Sequence, residues 1–164
     1  MELKREKYVD LIMYIICKYC NNPSFGKTVL CSLLYFIDFN YYENYNELLT
    51  NETYIKSKKG IKPKHFSEVS EELIAKKQIY LKKEPYYNRT IYRYCLTRIP
   101  NNQFKLKELE IIDLSIKKLY HENATSITNY AKKDPPINIA NFGEEINSKH
   151  VFSRNTAYSV KKNK

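Results

Sequence analysis

The segment Thr28–Tyr42, TVLCSLLYFIDFNYY, constrains this chain more than any other. It is the most apolar stretch, bounded by Pro23 and Gly26 on one side and by the polar, acidic run ENYNELLTNE on the other. Wound as a helix, it sets Leu30, Leu33, Leu34, Ile37 and Tyr41 on one face and Cys31, Tyr35, Asp38 and Tyr42 on another. A helix that is apolar nearly all round belongs at the centre of a domain. Asp38 then needs partners there, because an ionised carboxylate in a core is costly unless hydrogen-bonded or paired. Tyrosine hydroxyls, or a basic side chain such as Lys56 or Arg154, are the expected ones. The other reading leaves the edge formed by Tyr35, Asp38 and Tyr42 partly open to a partner.

The rest of the chain reads as elements to pack against this helix. Glu2 to Cys20 carries Tyr8, Leu11, Ile12, Ile15, Ile16 and Tyr19 as one stripe, which predicts an amphipathic helix ended by Asn21, Asn22 and Pro23. Ser24 is the expected cap of the core helix. Tyr54 and Ile55 sit in a short run of strand character ended by Gly60. Pro63 is expected to open a helix that runs to Lys76 through Phe66, Val69, Leu73 and Ile74. Ile79 to Lys82 and Thr90 to Leu96 predict a hairpin turning around Pro85 to Arg89. Leu106, Leu109, Ile112, Ile116 and Leu119 trace another helix, and Asn123 caps a short one stopped by Asp134, Pro135 and Pro136. The following INIANFGEEINSKHVFSR reads as irregular chain closing over the body. The expectation is one α+β, mainly α domain over residues 1–154, with a short β-hairpin in an order that would suit a winged helix. Residues 155–164 are expected to fray as a basic tail.

A chain of 164 residues suits a single core. Its net charge of +10 has two readings. It could mark a face for nucleic acid, or it could reflect an AT-rich genome, which favours Lys over Arg together with Asn, Ile and Tyr. Cys17, Cys20 and Cys31 lie in apolar helical segments, as expected of a reduced, cytosolic protein. Asp10 interrupts the apolar stretch after Lys4, Arg5 and Lys7, which argues against a secretory leader. No apolar run reaches the roughly 18–20 residues that would span a bilayer, so no membrane association is expected.

Catalytic and metal chemistry find little support. The Cys17–Cys20 pair has the half-site spacing of zinc and redox motifs but lacks a second pair, and it ends a helix rather than opening one. His65, His121 and His150 lie in separate segments, and three glycines cannot build a phosphate cradle. We therefore expect no enzymatic activity, metal or cofactor. The hairpin offers more, because Lys76, Lys77, Lys82, Lys83, Arg89, Arg93 and Arg98 alternate with Tyr80, Tyr86, Tyr87, Tyr92 and Tyr94. Tyr80, Tyr86, Tyr87, Arg89, Tyr92 and Arg93 are the candidate contacts for a protein partner. Two alternatives stay open: nucleic acid, which Glu68, Glu71 and Glu72 on the preceding helix would repel, and an ordinary solvated hairpin.

Four segments in this order carry a resemblance: LLYFIDFNYY, TYIKSKKGIKPKHF, ATSITNYAKKDPP and ANFGEEINSKHVFSR. Together they resemble the Panacea-domain family of SocA-like antitoxins and phage-associated proteins, over roughly residues 5–154. The positions carrying the pattern are Tyr35, Asp38, Tyr42, Tyr54, Gly60, Pro63, Gly143, Glu144 and Arg154. Two departures stand out. Gly60 is followed by Ile61 where the family often has Gly-Pro, and Lys132 and Pro136 stand where a His and a Trp are common, so no role of that His or Trp carries over. The resemblance implies a cytoplasmic, non-enzymatic antitoxin of a toxin-antitoxin system. Its partner would be a cognate protein toxin, neutralised by direct occlusion or by delivery to a protease as an adaptor. The alternative is a DNA-binding regulator of a mobile element or prophage.

Overall fold

The computed structural model describes residues 2–101 and 103–162. Helix α1 (Arg5–Lys18) and helix α2 (Lys27–Tyr45) pack against each other, and every residue from Val29 to Tyr41 is buried. Such a helix is held by tertiary packing on all sides, at about 1.5–3 kcal/mol for each large apolar side chain buried. Ser24 does not cap it. Gly26 stands at the N-cap without a side-chain cap, and Ser24 Oγ instead lies 3.2 Å from the Tyr86 hydroxyl. Gly26 is there for closeness: a Cβ on it would sit 3.2 Å from the Ile91 side chain.

After α2 the chain makes two short strands, β1 (Tyr54–Ser57) and β2 (Gly60–Pro63), paired antiparallel from Tyr54 opposite Pro63 to Ser57 opposite Gly60. Gly60 thus opens a second strand, at φ 117°, where only glycine is unstrained. Pro63 closes that strand, and helix α3 (Phe66–Ala75) begins three residues later than expected. Four residues show too little alternation to announce a strand, and a proline is tolerated where no ladder N–H is needed. The other edge of β1 is taken by the closing segment: Gly143 N–H donates to Lys56 O at 2.7 Å, Lys56 N–H to Glu144 O at 3.0 Å and Ile146 N–H to Tyr54 O at 2.8 Å. Chain expected to be irregular therefore completes a small sheet.

The main hairpin, β3 (Ile79–Tyr86) and β4 (Arg89–Leu96), is longer than its sequence predicts, with pairing continued to Tyr86 opposite Arg89. Its two-residue turn holds Tyr87 at φ 53°, and a tyrosine in a position usually given to Gly or Asn conceals so tight a turn. Helices α4 (Leu106–Leu119) and α5 (Ala124–Lys132) follow the expected periodicity, and Asn123 Oδ1 accepts the Ser126 N–H at 2.9 Å as a cap. Helix α5 stops before Asp134 as expected, and Pro135 then starts a one-turn helix α6 (Pro135–Ile139) with Asp134 at its N-cap. A 3-10 turn (Ser148–Ser153) leads to the C-terminal residues.

The tail does not fray over residues 155–162. Tyr158 stacks on Tyr130 with ring centroids 4.5 Å apart and donates its hydroxyl to Tyr130 O at 2.9 Å. Ser159 Oγ and the Val160 N–H both donate to the Glu43 carboxylate. A buried acceptor on α2 thus recruits chain that composition alone would leave in solvent; residues 163–164 lie outside the described residues. Among the described residues, no helix is long and apolar enough to cross a membrane.

Candidate interaction surface and the buried clusters beneath it

Asp38 is wholly buried, and three donors converge on it: Thr50 N–H at 2.8 Å, Thr50 Oγ–H at 2.6 Å and the Tyr54 hydroxyl at 2.5 Å. The tyrosine expectation holds, and the basic partners do not. Lys56 Nζ donates to Ala140 O at 3.0 Å, and Arg154 lies in another cluster. Loss of water pushes the Asp38 carboxyl up to about 6, against the opposing pull of its three hydrogen bonds, and nearby Glu52 adds to the rise. Glu52 is itself buried, accepting from Thr53 N–H at 2.7 Å and His65 N–H at 2.9 Å, with His65 Nδ1 at 2.6 Å. The two carboxylates therefore tie the 50–54 loop and the start of α3 to α2. Asp38 has no open edge through which to touch a partner.

The second cluster is built on Arg154. Its Nε and one terminal nitrogen hold Asp134 bidentately at 2.8 and 2.7 Å, and its other terminal nitrogen donates to Asn40 Oδ1 at 2.9 Å and Glu43 Oε1 at 3.0 Å. The guanidinium and the Asp134 side chain are both fully buried. Tyr35 donates its hydroxyl to Asp134 Oδ2 at 2.7 Å, and Asn40 Nδ2 donates to Ser115 Oγ at 2.9 Å. A planar, always-charged fork is the group that can satisfy this set of acceptors at once. Thus Tyr35 and Arg154 share one cluster and Asp38 and Tyr54 the other, with the Tyr35 and Tyr54 rings 5.8 Å apart between them. Tyr42 is half-buried against Phe152. Gly143 and Glu144 contribute through their backbone at the sheet edge, and Glu144 Oε1 accepts from Asn141 Nδ2.

Of the hairpin residues chosen as contacts, four are open and two are not. Tyr87 is 90% exposed, Tyr92 55% and Tyr80 47%, and Arg89 is exposed beside them. Arg93 is buried: one terminal nitrogen reaches Tyr19 O at 3.4 Å and Cys20 O at 3.0 Å at the carbonyl end of α1, and the other lies 3.5 Å from Glu84. A cation at a helix C-terminus meets both its free carbonyls and its dipole, so Arg93 serves the fold. Tyr86 is half-buried and spends its hydroxyl on Ser24. The sequence reading missed Leu81, 44% exposed, and Ile99, 86% exposed. Leu81 shares one face of the hairpin with Tyr92, whereas Ile99 lines a groove with Tyr80 of the opposite face, and their place on β3 and just beyond β4 was the available signal.

A groove of about 420 Å³ lies between the Tyr80 and Cys95 face of the hairpin and the end of α1, lined by Cys17, Cys20, Tyr80, Cys95 and Ile99 among others. All four cysteines are free thiols, and among the described residues no three His, Cys, Asp or Glu side chains form a group that could hold a metal ion.

A family model described as antitoxin SocA-like, Panacea domain, matches residues 30–136. No curated protein and no solved structure shows a match. The matched span runs from α2 to the start of α6 and includes Asp38, Tyr54, the hairpin and Asp134, while Arg154 answers Asp134 from beyond it. With well over half of its residues under that model, the chain belongs to the SocA-like antitoxin, Panacea-domain family.

Proposed function

We propose that this protein is a cytoplasmic, non-enzymatic antitoxin that neutralises a co-encoded protein toxin by direct contact through the β3–β4 hairpin. Family membership supports a protein toxin as the class of partner, and the observation that carries the contact surface is the exposure of Tyr87 at the turn and of Leu81 and Tyr92 on one face of the hairpin. Tyrosines bring large, stiff contact area with a polar tip, and they anchor interfaces when water is excluded around them. The buried Asp38 and Arg154 clusters support this reading as the frame that holds the hairpin's neighbours in place. Delivery of the bound toxin to a protease is compatible with the same first contact.

The nucleic-acid reading is weaker. Helix α3 exposes Glu68 and Glu71, Arg93 is withdrawn into the fold, and Lys82 lies 3.2 Å from Glu84. Co-expression with the product of the neighbouring open reading frame tests both. Growth arrest relieved by the wild-type protein, and no longer relieved by a Tyr87→Ala, Tyr92→Ala double variant of unchanged stability, supports the proposal. A neighbour that is harmless alone, or one neutralised equally well by the double variant, refutes it.

A further inference from the structure

We propose that the cleft along the β1–β2 hairpin is a second contact site, one that takes an acidic segment of the protein partner; this rests on the antitoxin reading. Two adjoining cavities of about 270 and 280 Å³ share Ser57 and Ile61 as a common wall. Lys27, Lys59 and Lys62 line the first, Lys56 and Lys132 the second, and no carboxylate lines either. Among the described residues none of these five lysines has an acidic side chain within ion-pair distance, whereas Lys7, Lys76, Lys82 and Lys162 all do. The hairpin concentrates the charge: residues 56–64 hold Lys56, Lys58, Lys59, Lys62 and Lys64 with no Asp or Glu.

Helix α2 adds to the field, since it begins at Lys27 with neither a side-chain cap nor an acidic residue in its first turn. Beneath the lysines the floor is apolar, formed by Cys31 and Phe66 in one cavity and Ala131 and Ile137 in the other, with the exposed Phe142 ring at the edge of the second. Cations on the rim and apolar side chains below call for a ligand with carboxylates flanking an apolar residue, that is, an acidic peptide segment. Duplex nucleic acid suits the cleft less well. The rim is all lysine, without the planar fork that grips phosphate, and each cavity is the size of one or two side chains.

The test is a Lys27→Glu, Lys62→Glu, Lys132→Glu variant, leaving Lys56 because it holds Ala140 O. The control reverses Lys18, Lys117 and Lys149, all exposed and outside the cleft. Affinity for the purified co-encoded toxin should fall about 100-fold in the cleft variant and change less than about threefold in the control. Hydrogen exchange on the wild-type complex, which needs no variant to fold, should show residues 54–63 protected on toxin binding. Unchanged affinity in a folded cleft variant, or no protection there, overturns the inference while leaving the antitoxin reading standing. If the wild-type protein neither binds nor neutralises the toxin, both fall together. If the cleft variant keeps toxin affinity but loses low-salt binding to a duplex oligonucleotide, the cleft is a nucleic-acid site and the inference is wrong.

Discussion

Replacing Asp38 by Asn isolates the energetics of the central helix. The Asp38 carboxyl is raised from 3.8 to about 6, chiefly by burial. At 1.36 kcal/mol per unit this amounts to about 3 kcal/mol in favour of the neutral form inside the fold. An acid with a higher pKa folded than unfolded binds its proton more tightly when folded. Its contribution is therefore fully present below about pH 4 and is lost as pH rises towards 6. Glu108, whose carboxyl is held low by Lys7 and the Lys105 N–H despite partial burial, acts in the opposite direction, so the wild-type profile alone mixes the two. The difference between wild type and Asp38→Asn removes the other groups. In the variant the amide takes the place of one carboxylate oxygen, and Tyr54 can turn its proton to Leu34 O, 3.0 Å away. The Thr50 hydroxyl is then left without its acceptor, at a cost of about 1–3 kcal/mol. Near neutral pH this roughly cancels the relief of removing a buried charge. Towards pH 4 the wild type gains, and the variant should become less stable relative to it by about 3 kcal/mol. Urea unfolding followed by circular dichroism across that range measures the difference. A pH-independent difference would refute dominance by burial, and one of opposite slope would show that the three hydrogen bonds outweigh it.

Arg154→Ala strands two buried carboxylates, Asp134 and Glu43, and should cost about 3–5 kcal/mol in urea unfolding, with Arg154→Lys recovering only part because an ammonium cannot span the same acceptors. Arg93→Ala should lower stability by about 1–3 kcal/mol through the freed carbonyls of α1, and any loss of toxin binding should be restored by stabilising solutes; a variant as stable as wild type yet inactive would return Arg93 to the contact surface. Truncation after residue 156 removes two of the donors to Glu43, Ser159 and Val160, and should lower the melting temperature measurably, whereas a frayed tail predicts no change.

Long amphipathic periods survive in a sequence, which is why α1, α4 and α5 are legible there, and α2 is legible as an unbroken apolar run between two breaks. Elements held by distant partners are not. β2 and α6 are four and five residues long, too short for periodicity, and exist because β1 and Asp134 offer them somewhere to pair or start. The same limit separates the two buried clusters. Asp38 finds Tyr54 and Thr50, only 16 and 12 residues away, and a tyrosine partner was foreseeable. Arg154 was a plausible partner for Asp38 by charge alone, yet it serves Asp134, which looked like a helix stop beside two prolines. On the hairpin, alternation of Tyr with Lys and Arg identified a surface, but the burial of Arg93 depends on where α1 ends, a tertiary fact.

The pairing of α2 with the end of the chain also bears on how the protein is made. Glu43 waits 111 residues, and Asp134 only 20, for the guanidinium that neutralises them both. While the chain is being synthesised, α2 can collapse onto α1, but its polar flank remains uncompensated until Arg154 and Ser159 have left the ribosome. A message cut just short of Arg154 would encode every residue of the family-matched span, residues 30–136, and still leave the buried Asp134 and Glu43 without the guanidinium they share.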